Sequence, residues 1–341
     1  MTWTETLNLK FCFLNAENLF LMFDEPPTAE VLKSSEVQWR RLSSSIYENK
    51  PLNKCFELAK TLKEINADIV MLCEVGGAES LKNFNDLFLD QAYSTILSEG
   101  NSNRNIDVGF LIRKNLPFYF DLQSNKNRPI NYLYPHERES LKADDSIKSP
   151  ANSHKFSRDV AELRLFKKDV EKPFLGILLT HLKSRLDREG IDPGGFERRQ
   201  AELLTLIDIY QEFLEKHPGT PALVAGDFNG NASQTDTDEE FRPLYEKTEL
   251  KDVLELTGLS HENRATFYQV RSTSKTEGRQ IDYCLLSPLL QKHLKANSAY
   301  VYRYKDEFGM NFGPPMTLDA KLRLPSDHYP LFFEIENLEI W

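Results

Sequence analysis

In this 341-residue chain the residues best equipped for chemistry stand at the ends of apolar runs. Ala222-Leu223-Val224-Ala225, bounded by Pro221 and Gly226, reads as a strand buried on both faces. Asp227 and Asn229 follow at alternate positions, which in extended backbone point the same way. Taken alone, the segment could equally be an Asp/Asn/Gly turn. Other run ends change the weighing. Leu7 to Leu14 delivers Asn15, Ile69 to Cys73 ends at Glu74, and Phe174 to Thr180 ends at His181. Ile281 to Leu286 carries Asp282, and Asp327 with His328 precedes Leu331 to Ile335. Every one of these groups is a carboxylate, an imidazole or a carboxamide. Hard oxygen donors suit Mg²⁺ or Mn²⁺ rather than a structural zinc. Phosphoester hydrolysis is the reaction most in need of such a set, because a metal neutralises phosphate charge, a carboxylate orients water and histidines hold non-bridging oxygens.

Around these ends the chain must supply rigid elements. Helical spacing of apolar residues predicts helices over Asn53 to Asn66, Glu79 to Gln91 and Glu197 to Lys216. Further strands are expected over Asp107 to Arg113, Phe118 to Leu122, Val160 to Phe166 and Thr266 to Val270. Ser124 to Ser157 is a long polar segment without clear periodicity, so it is expected to serve function or to be mobile. The helices are too few for a regular βα barrel. An α/β fold of two packed sheets flanked by helices fits better, and no repeat or linker divides residues 1–341 into more than one domain.

A net charge of −10 argues against binding nucleic acid through bulk positive potential, but leaves room for metal ions and a local basic cleft. Cys12, Cys55, Cys73 and Cys284 show no metal-binding spacing and read as small buried side chains. MTWTETLNLKF lacks the basic region and apolar run of a secretory signal, and no apolar stretch is long enough to cross a membrane. A cytoplasmic location is expected.

Seven blocks in order, LNAENLF, CEVG, FSRDVAELRL, THLKS, VAGDFNGN, RQIDYCLLS and SDHYP, resemble the endonuclease/exonuclease/phosphatase superfamily with the DNase I-like fold. The resemblance runs from about Leu7 to Glu336 and implies a four-layered α/β sandwich with two central mixed β-sheets. It implies a metal site at Glu74, Asn15 and Asp327, and Mg²⁺ or Mn²⁺ as cofactor. Asn18 is a weaker candidate for that site, and helix capping suits it better. By the same resemblance Asp227 orients or deprotonates the attacking water, and Asn229 hydrogen-bonds the scissile phosphate or the attacking oxygen. His328 contacts phosphate with Asp282 orienting and charging it, a pairing that raises the imidazole pKa. His181 becomes the second histidine of the phosphate site, with Asp107 as its acidic partner or a turn residue. Arg158 matches a phosphate-binding arginine, unless it merely pairs with Asp159.

The substrate is less legible. The abasic-endonuclease and inositol-phosphatase motifs are missing, and LNAENLF is similar to a bacterial branch described as nuclease-like. By elimination a metal-dependent nuclease is favoured, with nucleic acid held by Lys183, Arg185 and Arg188, or by Lys126, Arg128 and Arg138 in the long polar segment. Arg198 and Arg199 can also be read as an ordinary solvated helix face. The rival is a phosphatase or phosphodiesterase acting on a small phosphorylated molecule or lipid head group. Of the remaining histidines only His154 invites a test.

Overall fold

The structure, a computed structural model, describes residues 5–143, 154–168, 170–187, 190–271 and 275–340. Four strands come early: β1 (Glu5–Leu19), β2 (Ile69–Val75), β3 (Tyr93–Leu97) and β4 (Asp107–Arg113). Five follow in the middle: β5 (Tyr119–Ser124), β6 (Val160–Phe166), β7 (Leu175–His181), β8 (Ala222–Asp227) and β9 (Lys251–Asp252). The last are β10 (Phe267–Val270), β11 (Thr276–Arg279), β12 (Asp282–Leu286), β13 (Tyr300–Val301) and β14 (Leu331–Ile340). One six-stranded sheet runs β13-β14-β1-β2-β4-β3, the other β5-β6-β7-β8-β12-β9, and β10 and β11 form a separate hairpin. Each large sheet is mixed, with one parallel pair at its centre: β1 with β2, and β7 with β8.

Alternation along the central strands explains why their sequences are apolar on both faces. Leu223 and Ala225 of β8, with Cys284 and Leu286 of β12, join the core between the sheets. Ala222 and Val224, with Tyr283 and Leu285, turn the other way and meet Leu203, Leu206, Ile207 and Tyr210 of the helix Phe196–Lys216. Helices Leu52–Ile65 and Gly77–Phe88 cover the outer face of the first sheet through Leu58, Leu62, Leu81 and Phe84. Each large aliphatic side chain so buried contributes about 1.5–3 kcal/mol. Helices on the outside of two packed sheets make the four layers that the family resemblance implies.

The expected elements are present with ends shifted by a few residues. Additions come from the weakly patterned parts, notably β3, β11 and a helix, Pro135–Ala143, inside the long polar segment. All four cysteines are free and buried. No helix among the described residues is long and apolar enough to cross a membrane.

Candidate active site

The C-terminal ends of the two parallel pairs meet at one edge of the sandwich, and there the polar run-end residues converge. Asn15, His181, Asp227, Asp282 and His328 are each at most 6% exposed, so their mutual interactions are little screened by water. Side-chain hydrogen bonds between site residues cross from one sheet to the other. Asn15 Nδ2 donates to Asp227 Oδ2 at 3.0 Å, and His328 Nδ1 lies 2.8 Å from Asp282 Oδ2. Within the second sheet Asp227 is directly opposite Asp282 and in register with His181. Asp227 Oδ2 lies 3.5 Å from His181 Nε2 and 3.9 Å from His328 Nε2.

The chain reaches this arrangement by local turns. β8 ends at Asp227, and Asn229 takes a left-handed backbone with φ 54°, so the extended geometry expected for the pair is not adopted. Asn229 N donates instead to Asp227 Oδ1 at 2.9 Å, an Asx-type turn that fixes the carboxylate. The Asn229 amide donates to the Leu182 carbonyl at 3.1 Å, in the loop after His181. Gly226 is required just before: a Cβ there would stand 2.2 Å from the Thr180 carbonyl oxygen. Ser326 Oγ donates to the Asn15 carbonyl and accepts from His328 N, joining β1 to the segment before β14.

Glu74 also has a left-handed backbone, φ 58°, at a break in the pairing of β2. Its Oε2 accepts from Asn18 N at 3.1 Å and faces Arg104 Nη2 at 3.8 Å, while Oε1 has no hydrogen-bond partner among the described residues. Asn18 therefore caps no helix; it lies in a left-handed bulge of β1, its Oδ1 taken by Arg104. Asp327 sits beside His328, with Oδ1 3.9 Å from His328 Nε2 and Oδ2 3.3 Å from Lys321 Nζ.

Burial and neighbouring charge set the protonation states. Burial pushes the Asp227 carboxyl up and nearby Asp282 adds to it, so that despite His328 and Asn15 it titrates at about 7. Burial alone would lower His328, but the charge and hydrogen bond of Asp282, with Asp227 and Asp327, raise it to about 10. His181 is held well below the ordinary histidine value by burial and by the positive charges of Arg158, His328 and Arg104. Burial pushes Asp327 up too, yet His328 and Lys321 outweigh it and keep its carboxyl low. The site thus pairs one imidazolium with one neutral imidazole.

Some expected partnerships differ. Asp107 does not serve His181: its Oδ1 accepts from Gly100 N at 2.7 Å, and His181 Nδ1 is buried without a partner. Arg158 does not pair with Asp159, whose carboxylate is taken by Ser124 Oγ and Asn125 N. Arg199 is no solvated residue; it is buried in an ion pair with Glu240 at 2.6 Å. Arg198 bonds Tyr134 and Glu202. Most of the other basic residues offered for a nucleic acid are engaged: Arg128 with Glu212, Arg138 with Glu197, Arg185 with Asp238, and Lys126 with the Glu99 carbonyl. His154 is held by Glu137, and Arg188 lies outside the described residues. Sequence reasoning passed over Arg104, Lys321 and the buried Lys50, which bonds the Glu17 carbonyl in the β1 bulge. Ser326 opens the SDHYP block, while nothing local in the sequence marks Arg104, Lys321 or Lys50.

Asp227, Asp282 and His328 each offer an atom within 4.8 Å of the others. A protonated His328 already spent on Asp282 makes that trio an acid–base group rather than a cation cage. A hard cation fits better at Glu74, which keeps an oxygen free and borders solvent, and which follows Cys73, the residue paired with Asn15 across β1 and β2. One or two carboxylates, with water and substrate phosphate completing the shell, is the usual holding of Mg²⁺.

A two-sheet sandwich with carboxylates and histidines at the ends of its central strands defines a class of phosphoester-hydrolysing proteins. The chain belongs to the Endonuclease/Exonuclease/phosphatase family, whose model matches residues 55–328. Among solved structures it is similar to an endonuclease/exonuclease/phosphatase family protein from Bacteroides thetaiotaomicron, at 17% identity, TM-score 0.56, covering 98% of this chain and 96% of that one. TDP2 from D. rerio, complexed with a single-strand DNA product, is similar at 13% identity and TM-score 0.54, covering 96% and 98%. The mannosyl-6-phosphatase Bt3783 of Bacteroides thetaiotaomicron is similar at 18% identity and TM-score 0.54, covering 95% and 98%. No curated protein matches the sequence.

Proposed function

We propose that this chain is a divalent-metal-dependent phosphodiesterase, and specifically a nuclease, with residues 1–341 forming one catalytic domain. The observation that carries the reading is the pair of inter-sheet contacts, Asn15 to Asp227 and His328 to Asp282, around a buried Asp227. Glu74, Asp327 and Asn15 would hold Mg²⁺ or Mn²⁺, which neutralises phosphate charge when bound. Asp227, fixed by Asn15 and by Asn229 N, orients the attacking water and accepts its proton at a carboxylate oxygen. His328, kept protonated by Asp282, donates from Nε2 to a non-bridging phosphate oxygen. His181, neutral, adds a hydrogen bond at the same phosphate, and Asn229 holds the attacking oxygen. Arg158 and Lys183 bind the substrate beyond the reacting bond. Buried free cysteines accord with a reducing, cytoplasmic setting.

The relatives divide over substrate: one similar structure holds a single-strand DNA product and another is a mannosyl-6-phosphatase. The rival, a small phosphorylated substrate, gains support from the number of basic side chains already paired within the protein. A panel of single- and double-stranded DNA, RNA, bis(p-nitrophenyl) phosphate and sugar phosphates, run with Mg²⁺, with Mn²⁺ and in chelator, separates them. Hydrolysis of the diesters that stops in chelator and returns with metal is the expected outcome; full activity in excess chelator removes the metal from the reaction. Turnover of sugar monophosphates alone would transfer the assignment to the rival. In Asp227→Asn, which keeps the shape of the side chain, kcat should fall by at least ~10²-fold. An unchanged rate in the folded variant would take Asp227 out of the mechanism.

A further inference from the structure

Lys50 is 3% exposed, and its ammonium is aimed at backbone. Nζ donates to the Glu17 carbonyl at 3.0 Å and lies 3.5 Å from Glu17 Oε2. The residue is fixed from behind by contacts that do not involve its charge. Lys50 N donates to the Phe20 carbonyl at 2.9 Å, and the Lys50 carbonyl accepts Trp39 Nε1 at 2.9 Å. The neighbouring Asn49 side chain accepts Met22 N and donates to the Met22 carbonyl. The segment before the helix Leu52–Ile65 is thus clamped to the chain just after β1 by neutral hydrogen bonds, and Lys50 reaches out from it with a placed charge.

What the ammonium grips is the bulge of β1. Glu17 and Asn18 are consecutive non-glycine residues with left-handed φ of 49° and 53°, where the pairing of β1 with β2 skips from Asn15 to Leu19. Such backbone persists only where its surroundings impose it. The Glu17 carbonyl and the Asn18 N–H belong to one peptide unit, and in a trans peptide they point opposite ways. Lys50 holds the oxygen end. At the other end Asn18 N donates to Glu74 Oε2 at 3.1 Å, and one residue earlier Glu17 N donates to Asn15 Oδ1 at 3.0 Å. Lys50, the Glu17–Asn18 peptide and Glu74 form a row of hydrogen bonds in which each polarises the next. Lys54 approaches the same residue differently: its Nζ meets Glu17 Oε2 at 3.0 Å and leaves the peptide alone. A buried ammonium is costly, and an apolar residue of similar volume commonly serves stability as well, so stability alone does not account for Lys50.

We propose that Lys50 is a positioning residue for the divalent cation: by holding the Glu17–Asn18 peptide it commits Glu74 Oε2 to that peptide and leaves Oε1 as the oxygen available to the metal. The inference rests on the reading that places Mg²⁺ or Mn²⁺ at Glu74, and it adds a residue that touches neither cation nor substrate. Its sign is opposite to that of plain electrostatics. A lysine near a cation site repels the cation, so loss of its charge alone would tighten binding.

Mn²⁺ binding to the substrate-free protein, read by electron paramagnetic resonance of the unbound ion, separates the two. Lys50→Met keeps an unbranched buried stem and removes the charge. Its Mn²⁺ affinity should fall by ~10-fold or more, the usual cost of losing a group that orients a metal ligand, with the melting curve retained. Lys54→Met removes the same charge from the same Glu17 without touching the peptide, and should bind Mn²⁺ as tightly as the wild type or more so. In turnover of bis(p-nitrophenyl) phosphate, the Mn²⁺ concentration giving half the maximal rate should rise by the same factor in Lys50→Met. Its kcat at saturating Mn²⁺ should stay near the wild-type value, a split that a general loss of structure does not give. If Lys50→Met does not fold, Lys50→Gln, neutral but polar, is read against the same affinities. Unchanged or tighter Mn²⁺ binding in the folded Lys50 variant overturns the inference, and so does an equal loss in Lys54→Met. Glu74→Gln keeps two failures apart. If it binds Mn²⁺ as the wild type does, the cation is not at Glu74 and the proposed metal site falls. If it loses Mn²⁺ while the Lys50 variant does not, only the role of Lys50 falls.

Discussion

At the level of single residues, the ion pair of His328 with Asp282 is the most exacting element of the site. The imidazole keeps its proton to about pH 10 because a buried carboxylate lies 2.8 Å away. Asp282→Asn keeps the hydrogen bond and removes the charge, so the His328 titration followed by NMR should move sharply down. The rate should fall by ~10²-fold or more at pH 8, where the proton would be lost. A His328 that titrates unchanged in this variant would show that Asp282 does not set its charge. The types of the site residues were legible in sequence because chemistry-bearing side chains interrupt apolar runs at Asn15, Glu74, His181 and Asp227. Partners were less so. Of the two roles open to Asp107, partner of His181 or turn residue, the structure shows the turn: its carboxylate folds back onto Gly100 N, a contact decided locally. Arg104 carries no local signal, since its relation to Glu74 depends on a loop meeting a bulge far away in sequence.

At the level of elements, the buried strands were legible because each is apolar on both faces, and the structure supplies a sheet on one side and a helix on the other. β3 and the helix Pro135–Ala143 were missed because both are partly exposed and weakly patterned. The left-handed positions were also hidden. Glu17, Asn18, Glu74 and Asn229 all have positive φ, near 50–60°, so the backbone at the ends of β1, β2 and β8 turns instead of continuing extended. Gly226→Ala tests how tightly β8 must lie against β7. Its Cβ would meet backbone 2.2 Å away, so a loss of about 1–3 kcal/mol or more is expected, with a drop in activity as Asp227 is displaced. Thermal melts and turnover measured together check it; full activity at unchanged Tm would mean the strands can separate at no cost.

For the whole molecule, acidity is a matter of distribution. With a net charge of −10, many arginines are held by carboxylates, Arg128 by Glu212, Arg138 by Glu197 and Arg199 by Glu240. Stability carries a pH signature from Asp252, fully buried on β9 beside β12, where burial raises the carboxyl to about 7 although the Gln280 hydrogen bond lowers it. The folded state then holds a proton that the unfolded chain releases above its ordinary range near 4. Stability from this group is complete below pH ~4 and declines as pH rises towards 7, at no more than about 1.4 kcal/mol per pH unit. Asp252→Asn should flatten that part of the profile in denaturant melts from pH 4.5 to 7.5; an unchanged slope would place the proton elsewhere. The hydrogen bonds of Asn15 with Asp227 and of His328 with Asp282, which cross between the sheets, have a mechanical consequence as well. Half the candidate centre is carried by β1 and the segment before β14, half by β7, β8 and β12, so the proposed catalysis would work as a gauge of the gap between two slabs. A slip of an ångström that leaves every strand paired would still part Asn15 from Asp227 and His328 from Asp282. In rising denaturant, turnover should therefore fade at or before the concentration that melts the far-UV signal, and activity outlasting that signal would contradict it.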